Sequence, residues 1–578
     1  MSIPRPEYPR PQLVREIWQN LNGEWQFCID NGKSGRARKL HEADSLDGTI
    51  TVPFCPESVL SGVGYKDFMT AVWYRRGFTM PDDWKNQRII LHFGAVDYDT
   101  EVWVNGISAG KHRGGYTSFQ MEITPFLCDC RNVITVCAED DTRSLLQPTG
   151  KQSMEYDSFA CLYTRTTGIW QTVWLEAVPD AYISKLRLTP NLENGCVHIS
   201  AVIDNASPGM KLEAAAFLDG ADAGCVFAHV SGGMAEIPLK IDPDMVQAWK
   251  PGNPILYDLH LTLKGDGITD EVDSYFGLRS LGIQGRALLF NGKPLFQRLV
   301  LDQGFYPDGI YTAPTDDALR GDIELSMAMG FNGARLHQKV FEERFIYWAD
   351  KLGYLVWGEM ASWGIDLANP AALERFQTEW LDALERDYNH PSIVGWCPFN
   401  ETNHAQNPEV LRQIYRVTKQ IDPTRPCIDT SGYVHTRLTD IHDVHDYDQD
   451  PEIFASHYRD RLPSQDEIYK PAETPCVERL VQPYFVSEYG GIWWNPGQQD
   501  DVSWGYGNRP RSEEEFIARY KALTETLLNN PDMCAFCYTQ LTNVELEVNG
   551  LYTYDRKPKF DAVIIKTINT QTAAIEKE

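Results

Sequence analysis

The 578-residue chain has no run approaching the ~18 uninterrupted apolar residues of a membrane-crossing helix, which excludes a helical membrane protein. Its opening residues, MSIPRPEYPRPQL from Met1 to Leu13, lack the basic start, apolar stretch and small-residue cleavage site of a secretory leader. A cytoplasmic location is therefore expected. Positive charge is scarce: 53 Lys and Arg stand against 81 Asp and Glu, a net charge of −28. Such a surface repels phosphate backbones and anionic bilayers, which removes nucleic acid and membrane as partners. A disulfide framework is also missing, because the 13 cysteines are odd in number, irregularly spaced and set in a chain too long to need staples. Cys534-x-x-Cys537 and Cys128-x-Cys130 are close pairs in strand-like contexts, and no second pair stands at zinc-ribbon spacing. They are read as reduced core thiols, with no metal and no cofactor expected.

What is present is a globular composition, 43% hydrophobic and 12% aromatic, evenly dispersed. At about 150 residues per domain the length predicts three or four domains, or two small ones beside a large one. From Leu21 to about Val178 short aromatic-rich runs follow one another: LNGEWQF, AVWYRRGF, RIILHFGAV, TEVWVNG, NVITVCAED and GIWQTVWLEAV. They predict an antiparallel sandwich, with Asn105-Gly106 after Val102-Trp103-Val104 as a hairpin turn. From about Pro179 to Leu281 the runs KLRLTP, CVHISAVID, KLEAAAFLD and YDLHLTLKG predict a second, smaller sandwich. Domain boundaries are placed at 1–180, 181–281 and 282–578.

After about Gly282 strand-like runs alternate with amphipathic helices, the pattern of a parallel sheet with crossovers. One helix takes Thr315 as N-cap and Gly330 as stop, another ends at Gly353, and Ser512-x-x-Glu515 reads as a capping box. Strand candidates start near residues 295, 331, 354, 393, 427, 443, 484 and 534, and the eight together predict a closed (β/α)8 TIM barrel. The connection from CIDTSG to DVHDYD is too short for a good helix, and a Pro-rich loop precedes YFVSEYGG, so an open doubly wound sheet stays as the alternative.

Catalytic residues of such a barrel lie where strands end. Here those ends carry Asp302, His337, Glu359, Glu401, Asp446 with Tyr447, and Glu488. A lone strand-end carboxylate is usually just solvated. Glu401 and Glu488 stand apart because each closes a strongly apolar strand, PFNET and VSEYGG. On strands four and seven their tips approach across the mouth, where two carboxylates ~5 Å apart serve one glycosidic bond as acid and nucleophile. Trp357, Trp363, Trp396, Trp493, Trp494 and Trp504 surround them in the sequence. Trp396, inside a strand, reads as core; Trp363 and Trp494, just past strand ends, read as sugar platforms. The run His442–Asp450 (HDVHDYDQD) splits between two strand faces, which favours polar mouth residues over a metal site.

These segments together resemble glycoside hydrolase family 2, the β-galactosidase and β-glucuronidase family, over nearly the whole chain. LNGEWQF, VWVNG and GIWQTVWLE resemble its N-terminal sugar-binding jelly roll, the second sandwich its immunoglobulin-like domain, and NHPSIVGWCPFNE and FVSEYGG its two catalytic strand signatures. The resemblance implies a retaining exo-β-glycosidase with Glu401 as general acid/base and Glu488 as nucleophile. It further implies that Asn400 contacts the sugar 2-hydroxyl and Tyr447 positions the nucleophile. His337, Asp302 and Glu359 complete the expected substrate site with Trp363 and Trp494.

The first barrel strand, QRLVLDQG, departs from the Arg-Gly-x-Asn-x-His form of familiar β-galactosidases, and YTQLTNVELEVNGLYTYDRKP lacks the Asn-x-Lys with which β-glucuronidases hold a carboxylate. A neutral β-glycoside, galactoside first, is the expected substrate; a uronide or an aryl glycoside is the alternative. A noncatalytic carbohydrate-binding protein on the same scaffold, and transfer to a sugar instead of water, stay open, as does a homo-oligomer. A loop of the N-terminal domain, Tyr156 to Arg165, is the candidate for reaching the barrel mouth.

Overall fold

Strand alternation in the first third of the chain gives two facing sheets. One runs in the order Trp18–Asn20, Val173–Val178, Arg88–Phe93, Phe119–Glu122; the other Gly48–Val52, Gly23–Ile29, Ala71–Phe78, Asn132–Glu139, Asp99–Val104, Ile107–Arg113. Trp25, Phe27, Tyr74, Leu91, Val136 and Val173 fill the space between them. The Asn105-Gly106 turn forms as expected, with φ of 52° and 79°, the left-handed pair a two-residue hairpin of this hand requires. The structure is a computed structural model and describes residues 3–129, 131–402, 405–432, 434–459, 482–496 and 502–577.

The second sandwich packs Tyr182–Asn191, Cys196–Asp204 and Met234–Lys240 against Ala221–His229, Lys211–Leu218, Tyr257–Gly265 and Ile268–Phe276. Alternation is strict in Met234–Lys240, where every second side chain is buried. Ile199, Ile237, Leu212 and Leu261 meet in its core.

The remainder is the barrel, built from β1 (Gln297–Asp302), α1 (Asp316–Ala328), β2 (Gly333–Leu336), α2 (Glu343–Leu352), β3 (Leu355–Glu359), α3 (Pro370–Asp387), β4 (Ile393–Cys397), α4 (Pro408–Ile421), β5 (His442–Asp446), α5 (Pro451–Arg459), β6 (Tyr484–Tyr489), α6 (Glu513–Leu528), β7 (Met533–Tyr538) and α7 (Ala562–Asn569). The parallel order is β4-β3-β2-β1-β7-β6-β5. Thr315 caps α1 by accepting the Ala318 amide at 3.1 Å. Ser512 accepts the Glu515 amide at 3.3 Å, but the Glu515 carboxylate turns to the Arg511 amide, one residue before the position a full capping box uses.

The strand expected near residue 427 is not a regular strand. Cys427 and Ser431 make isolated parallel bridges to Trp396 and Asn400, so the segment closes the gap between β4 and β5 as an irregular eighth stave. The cause is local. Asp429 accepts the amides of Thr430 at 2.9 Å and Thr436 at 2.6 Å and the His435 imidazole at 2.8 Å, so side-chain acceptors take the place of a neighbouring strand. β4 likewise stops at Cys397, short of the expected Glu401, because Pro398 has no amide to continue the ladder.

The cysteines that the structure describes are free, and Cys534 and Cys537 are buried in β7. Cys130 lies outside the described residues, as does most of the Pro-rich loop before β6. Among the described residues no helix is long and apolar enough to cross a membrane.

Candidate active site

At the centre of the barrel mouth is Arg335, fully buried on β2. A guanidinium there must be paired, and four groups meet it. It lies 2.9 Å from Glu359 and 3.3 Å from Glu488, and donates to the Asn400 side-chain oxygen at 3.1 Å and the Ser487 carbonyl at 2.7 Å. One cation thus sets the relative positions of side chains from β3, β6 and the loop after β4. Arg335→Met is expected to lower the unfolding free energy by about 3–5 kcal/mol, since it leaves Glu359 buried without its counter-charge. Urea denaturation followed by tryptophan fluorescence measures this, and a loss below about 1 kcal/mol would contradict it.

Glu488 receives a second donor on its other oxygen, the Tyr447 hydroxyl, which also lies 3.0 Å from Thr539. The Tyr447 ring stacks on Tyr506 at 3.5 Å, nearly parallel. Burial, then the charge of Glu488, keeps the Tyr447 phenol well above its usual range, so it remains a donor. Glu359 is pushed up to about 7 by burial, with Arg335 opposing. His337 sits 3.3 Å from Glu359 and 4.0 Å from Glu488, and burial, helped by the Lys151 charge, holds its imidazole well below the ordinary value. It is therefore neutral.

Glu401 follows β4 through Pro398, Phe399 and Asn400 and adopts φ 46°, a left-handed conformation that costs a non-glycine residue about 1–2 kcal/mol. Its amide donates to the Ser431 carbonyl at 2.8 Å. Its carboxylate meets His445 Nδ1 at 2.8 Å, while His445 Nε2 lies 3.4 Å from Glu488 and 3.0 Å from the Ser431 hydroxyl. One donor atom from each of Glu401, His445 and Glu488 lies within 4.8 Å of the others. These atoms are engaged with one another and with Ser431, Arg335 and Tyr447, and no metal is assigned to them.

Asn400 leaves its Nδ2 buried without a protein acceptor, a donor available to a ligand. Trp363 donates from its indole to the Asn400 carbonyl at 3.0 Å. The ammonium of Lys151 covers the Trp363 ring at 4.2 Å. Lys151 belongs to the N-terminal domain, in a loop fastened over the mouth. Thr149 and Gly150 donate to the Trp363 carbonyl, Ala160 accepts from Trp504 at 2.7 Å, and Tyr163 donates to Glu547. The loop reaching the barrel thus begins before the expected Tyr156. Burial works against the Lys151 charge, but Cys161, Glu547, Glu488 and Glu401 raise its pKa overall. Among the described residues the ammonium has no hydrogen-bond acceptor.

The structure gathers Asn400, Glu401, Tyr447, Glu488, His337, Glu359 and Trp363 in this mouth. Asp302 adjoins His337 through its carbonyl, which accepts the His337 amide at 2.8 Å, but its carboxylate turns to other partners: it accepts the Gly304 amide at 2.9 Å, and burial beside Asp322 pushes it up to about 7, with Arg556 and Lys339 opposing. Trp494 packs on Phe516 of α6, ring centres 6.3 Å apart. Asp446 faces outward to His457 and Tyr458 of α5, each at 2.8 Å, whereas Asp443 and His445 point inward, as strand alternation requires. The sequence placed His445 among the polar mouth residues of the run His442–Asp450 without a role, and gave no place to Arg335 and Lys151. The signal for Arg335 is a charge in the middle of an apolar parallel strand; nothing local marks Lys151.

Comparison with known proteins agrees along the whole chain. Three family models match in succession: Glycosyl hydrolases family 2, sugar binding domain, over residues 18–179; Glycosyl hydrolases family 2 over 181–279; and Glycosyl hydrolases family 2, TIM barrel domain, over 283–574. The chain is 24% identical to a β-glucuronidase of Paenibacillus borealis, covering 72% of this chain and 74% of that one. It is also 24% identical to a β-galactosidase of Thermoanaerobacterium thermosulfurigenes, covering 95% and 75%. Its fold is similar to that of a β-glucuronidase from an uncultured Clostridium sp., with a TM-score of 0.80, 20% identity and coverage of 96% and 99%. Matched from its first sandwich through its barrel, the chain belongs to glycosyl hydrolase family 2 and is a hydrolase of glycosides.

Proposed function

We propose that the chain is a retaining exo-β-glycosidase acting on a neutral sugar, galactoside first, with Glu488 as nucleophile and Glu401 as general acid/base. The observation that supports the mechanism is the approach of one Glu401 oxygen and one Glu488 oxygen to within 4.8 Å of each other, with His445 between them. A separation of ~5 Å suits direct attack, whereas inversion leaves room for a water between the carboxylates. Glu488 bonds to the anomeric carbon as the C–O bond to the aglycone breaks, and the leaving oxygen takes the proton of Glu401. Water then attacks the same carbon, gives its proton to Glu401 and frees Glu488. The loop carrying Lys151 and Tyr163 covers one end of the mouth, which supports removal of a terminal sugar.

Glu547 supports the neutral glycone. It is a buried carboxylate in the loop after β7, held by Asn549 at 2.9 Å and by Tyr163, and it opposes a second negative charge. A uronide is the second reading, favoured by the Lys151 ammonium without an acceptor and by relatives that bear the name β-glucuronidase. Initial rates on nitrophenyl β-galactoside, glucoside, glucuronide, mannoside, fucoside and arabinoside separate the two. Turnover led by the galactoside supports the proposal, and turnover led by the glucuronide replaces it. Lys151→Met sharpens the answer. Loss of one charge-assisted hydrogen bond to a hydroxyl is worth about 1.5–3 kcal/mol, so kcat/KM on a neutral glycoside should fall about 10- to 150-fold. A fall beyond about 1000-fold, confined to an anionic sugar, means that Lys151 holds a carboxylate.

A further inference from the structure

Asp443, His445 and Ser431 form a chain of hydrogen bonds ending at Glu401, and the chemistry of its members fixes most of its protons. Asp443, on β5, faces His435, whose nitrogen lies 3.0 Å from one carboxylate oxygen. Burial raises the Asp443 carboxyl, but His435, with the nearby His445 charge and the Ser431 hydroxyl, holds it well below its ordinary value. Asp443 is thus a pure acceptor. Ser431 Oγ lies 2.6 Å from Asp443 Oδ2, and Ser487 Oγ meets the same oxygen, so both hydroxyls donate to it. The single proton of Ser431 goes to this carboxylate at 2.6 Å rather than to the neutral Ser487 hydroxyl at 3.1 Å, because an ionised acceptor makes the stronger bond. Its oxygen can then only accept from His445 Nε2 at 3.0 Å, which places a hydrogen on that nitrogen. His445 Nδ1 is left 2.8 Å from Glu401 Oε1, with one proton to be held between them.

Gly432 keeps this pair together. At φ 115° it suits glycine, and a Cβ there would stand 3.2 Å from the His445 ring and 3.4 Å from the Glu401 side chain.

We propose that His445 is a positioning residue that shares the acid/base proton of Glu401, so that the proton needed by the leaving oxygen is stored on the Glu401–His445 pair. The inference rests on Glu401 being the acid/base. When the glycosidic C–O bond breaks, its electron pair takes that proton from Glu401. When water later attacks the anomeric carbon, its proton returns to Glu401 as the bond to Glu488 breaks, which restores the shared proton.

Among the described residues, charged groups facing His445 are Glu401 from the loop after β4, Glu488 from β6, Arg335 from β2, and Asp443 through Ser431; Lys151 adds its charge to the two glutamates. Burial works against charging His445, while Glu488 and Glu401 favour it, and the balance lies above the ordinary imidazole value. A proton shared with a second base leaves the pair at higher pH than it would leave a carboxyl alone. The basic limb of kcat/KM against pH therefore belongs to the pair.

The test uses the full chain and its preferred nitrophenyl glycoside beside the matching methyl glycoside, whose poor leaving group must be protonated. His445→Ala is expected to move the basic limb at least one pH unit lower, to lower kcat/KM on the methyl glycoside about 100-fold and to change the nitrophenyl rate less than 10-fold. Retained nitrophenyl turnover shows that the variant is folded. His445→Asn, which keeps a polar group near the Nδ1 position, should recover at least half of the loss in logarithmic terms on the methyl glycoside but leave the limb displaced. An unmoved limb in both variants, or equal losses on both substrates, overturns the proposal. Glu401→Ala is the control: if that variant shows no dependence on leaving group, the acid/base assignment itself has failed, and if it does while His445→Ala does not, only the role of His445 is lost.

Discussion

Glu488→Gly should lose about 10⁴- to 10⁶-fold in turnover of every β-glycoside the parent cleaves, the scale expected when a covalent nucleophile is removed. The fold should survive, because Arg335 keeps Glu359 at 2.9 Å and Tyr447 keeps Thr539 at 3.0 Å when the carboxylate is gone. The small side chain leaves a space below the anomeric carbon. Azide diffusing into that space attacks from the face Glu488 used, so an activated aryl β-glycoside should yield an α-glycosyl azide with Glu401 still positioned to assist departure of the leaving group. Chromatography of the product and its proton NMR coupling at the anomeric position decide the matter. Residual activity above about 1% of the parent, or an azide of β configuration, would reject Glu488 as the nucleophile.

Much of this site was legible in the chain because its main determinants are local. A carboxylate at the end of an apolar strand or in the turn just past it declares itself in five or six residues, as Glu488 in VSEYGG and Glu401 in PFNET do. The barrel was equally readable from alternating periods, and so was the Asn105-Gly106 hairpin, which depends on two residues that tolerate positive φ. Longer-range features were not. The eighth stave looked like a strand because CIDTSG is apolar enough, yet Asp429 draws its amides and those of Thr436 into a side-chain network that a local reading does not contain. Asp302 ends its strand as an active-site residue would, but Asp322 and Arg556, brought close by the fold, place it in a separate charge cluster. Lys151 is the sharpest case. Its contact with Trp363 spans two domains, and nothing in the residues around either one announces it.

Replacing Glu401 by alanine should separate the two halves of the reaction, and the separation reports on the acid/base more surely than loss of activity does. With a leaving group such as dinitrophenolate, which departs without a proton, the first step should proceed within about 10-fold of the parent, while the second, which needs a base for water, should slow about 10²- to 10⁴-fold. The glycosyl-enzyme on Glu488 then accumulates, so the apparent KM falls along with kcat and a burst of dinitrophenolate precedes the steady state. With a methyl glycoside, whose alkoxide must be protonated as it leaves, kcat/KM itself should fall by about 10³-fold or more. Azide, which needs no base, should restore turnover of the dinitrophenyl substrate and give the β-glycosyl azide, opposite in configuration to the product expected from Glu488→Gly. The left-handed backbone of Glu401 and its amide bond to Ser431 at 2.8 Å do not depend on the carboxylate, so alanine should leave the loop and the adjacent Asn400 in place. Equal losses on the two leaving groups, with no burst, would mean that Glu401 does not transfer the proton and that the close approach of Glu401 and Glu488, within 4.8 Å, serves binding alone.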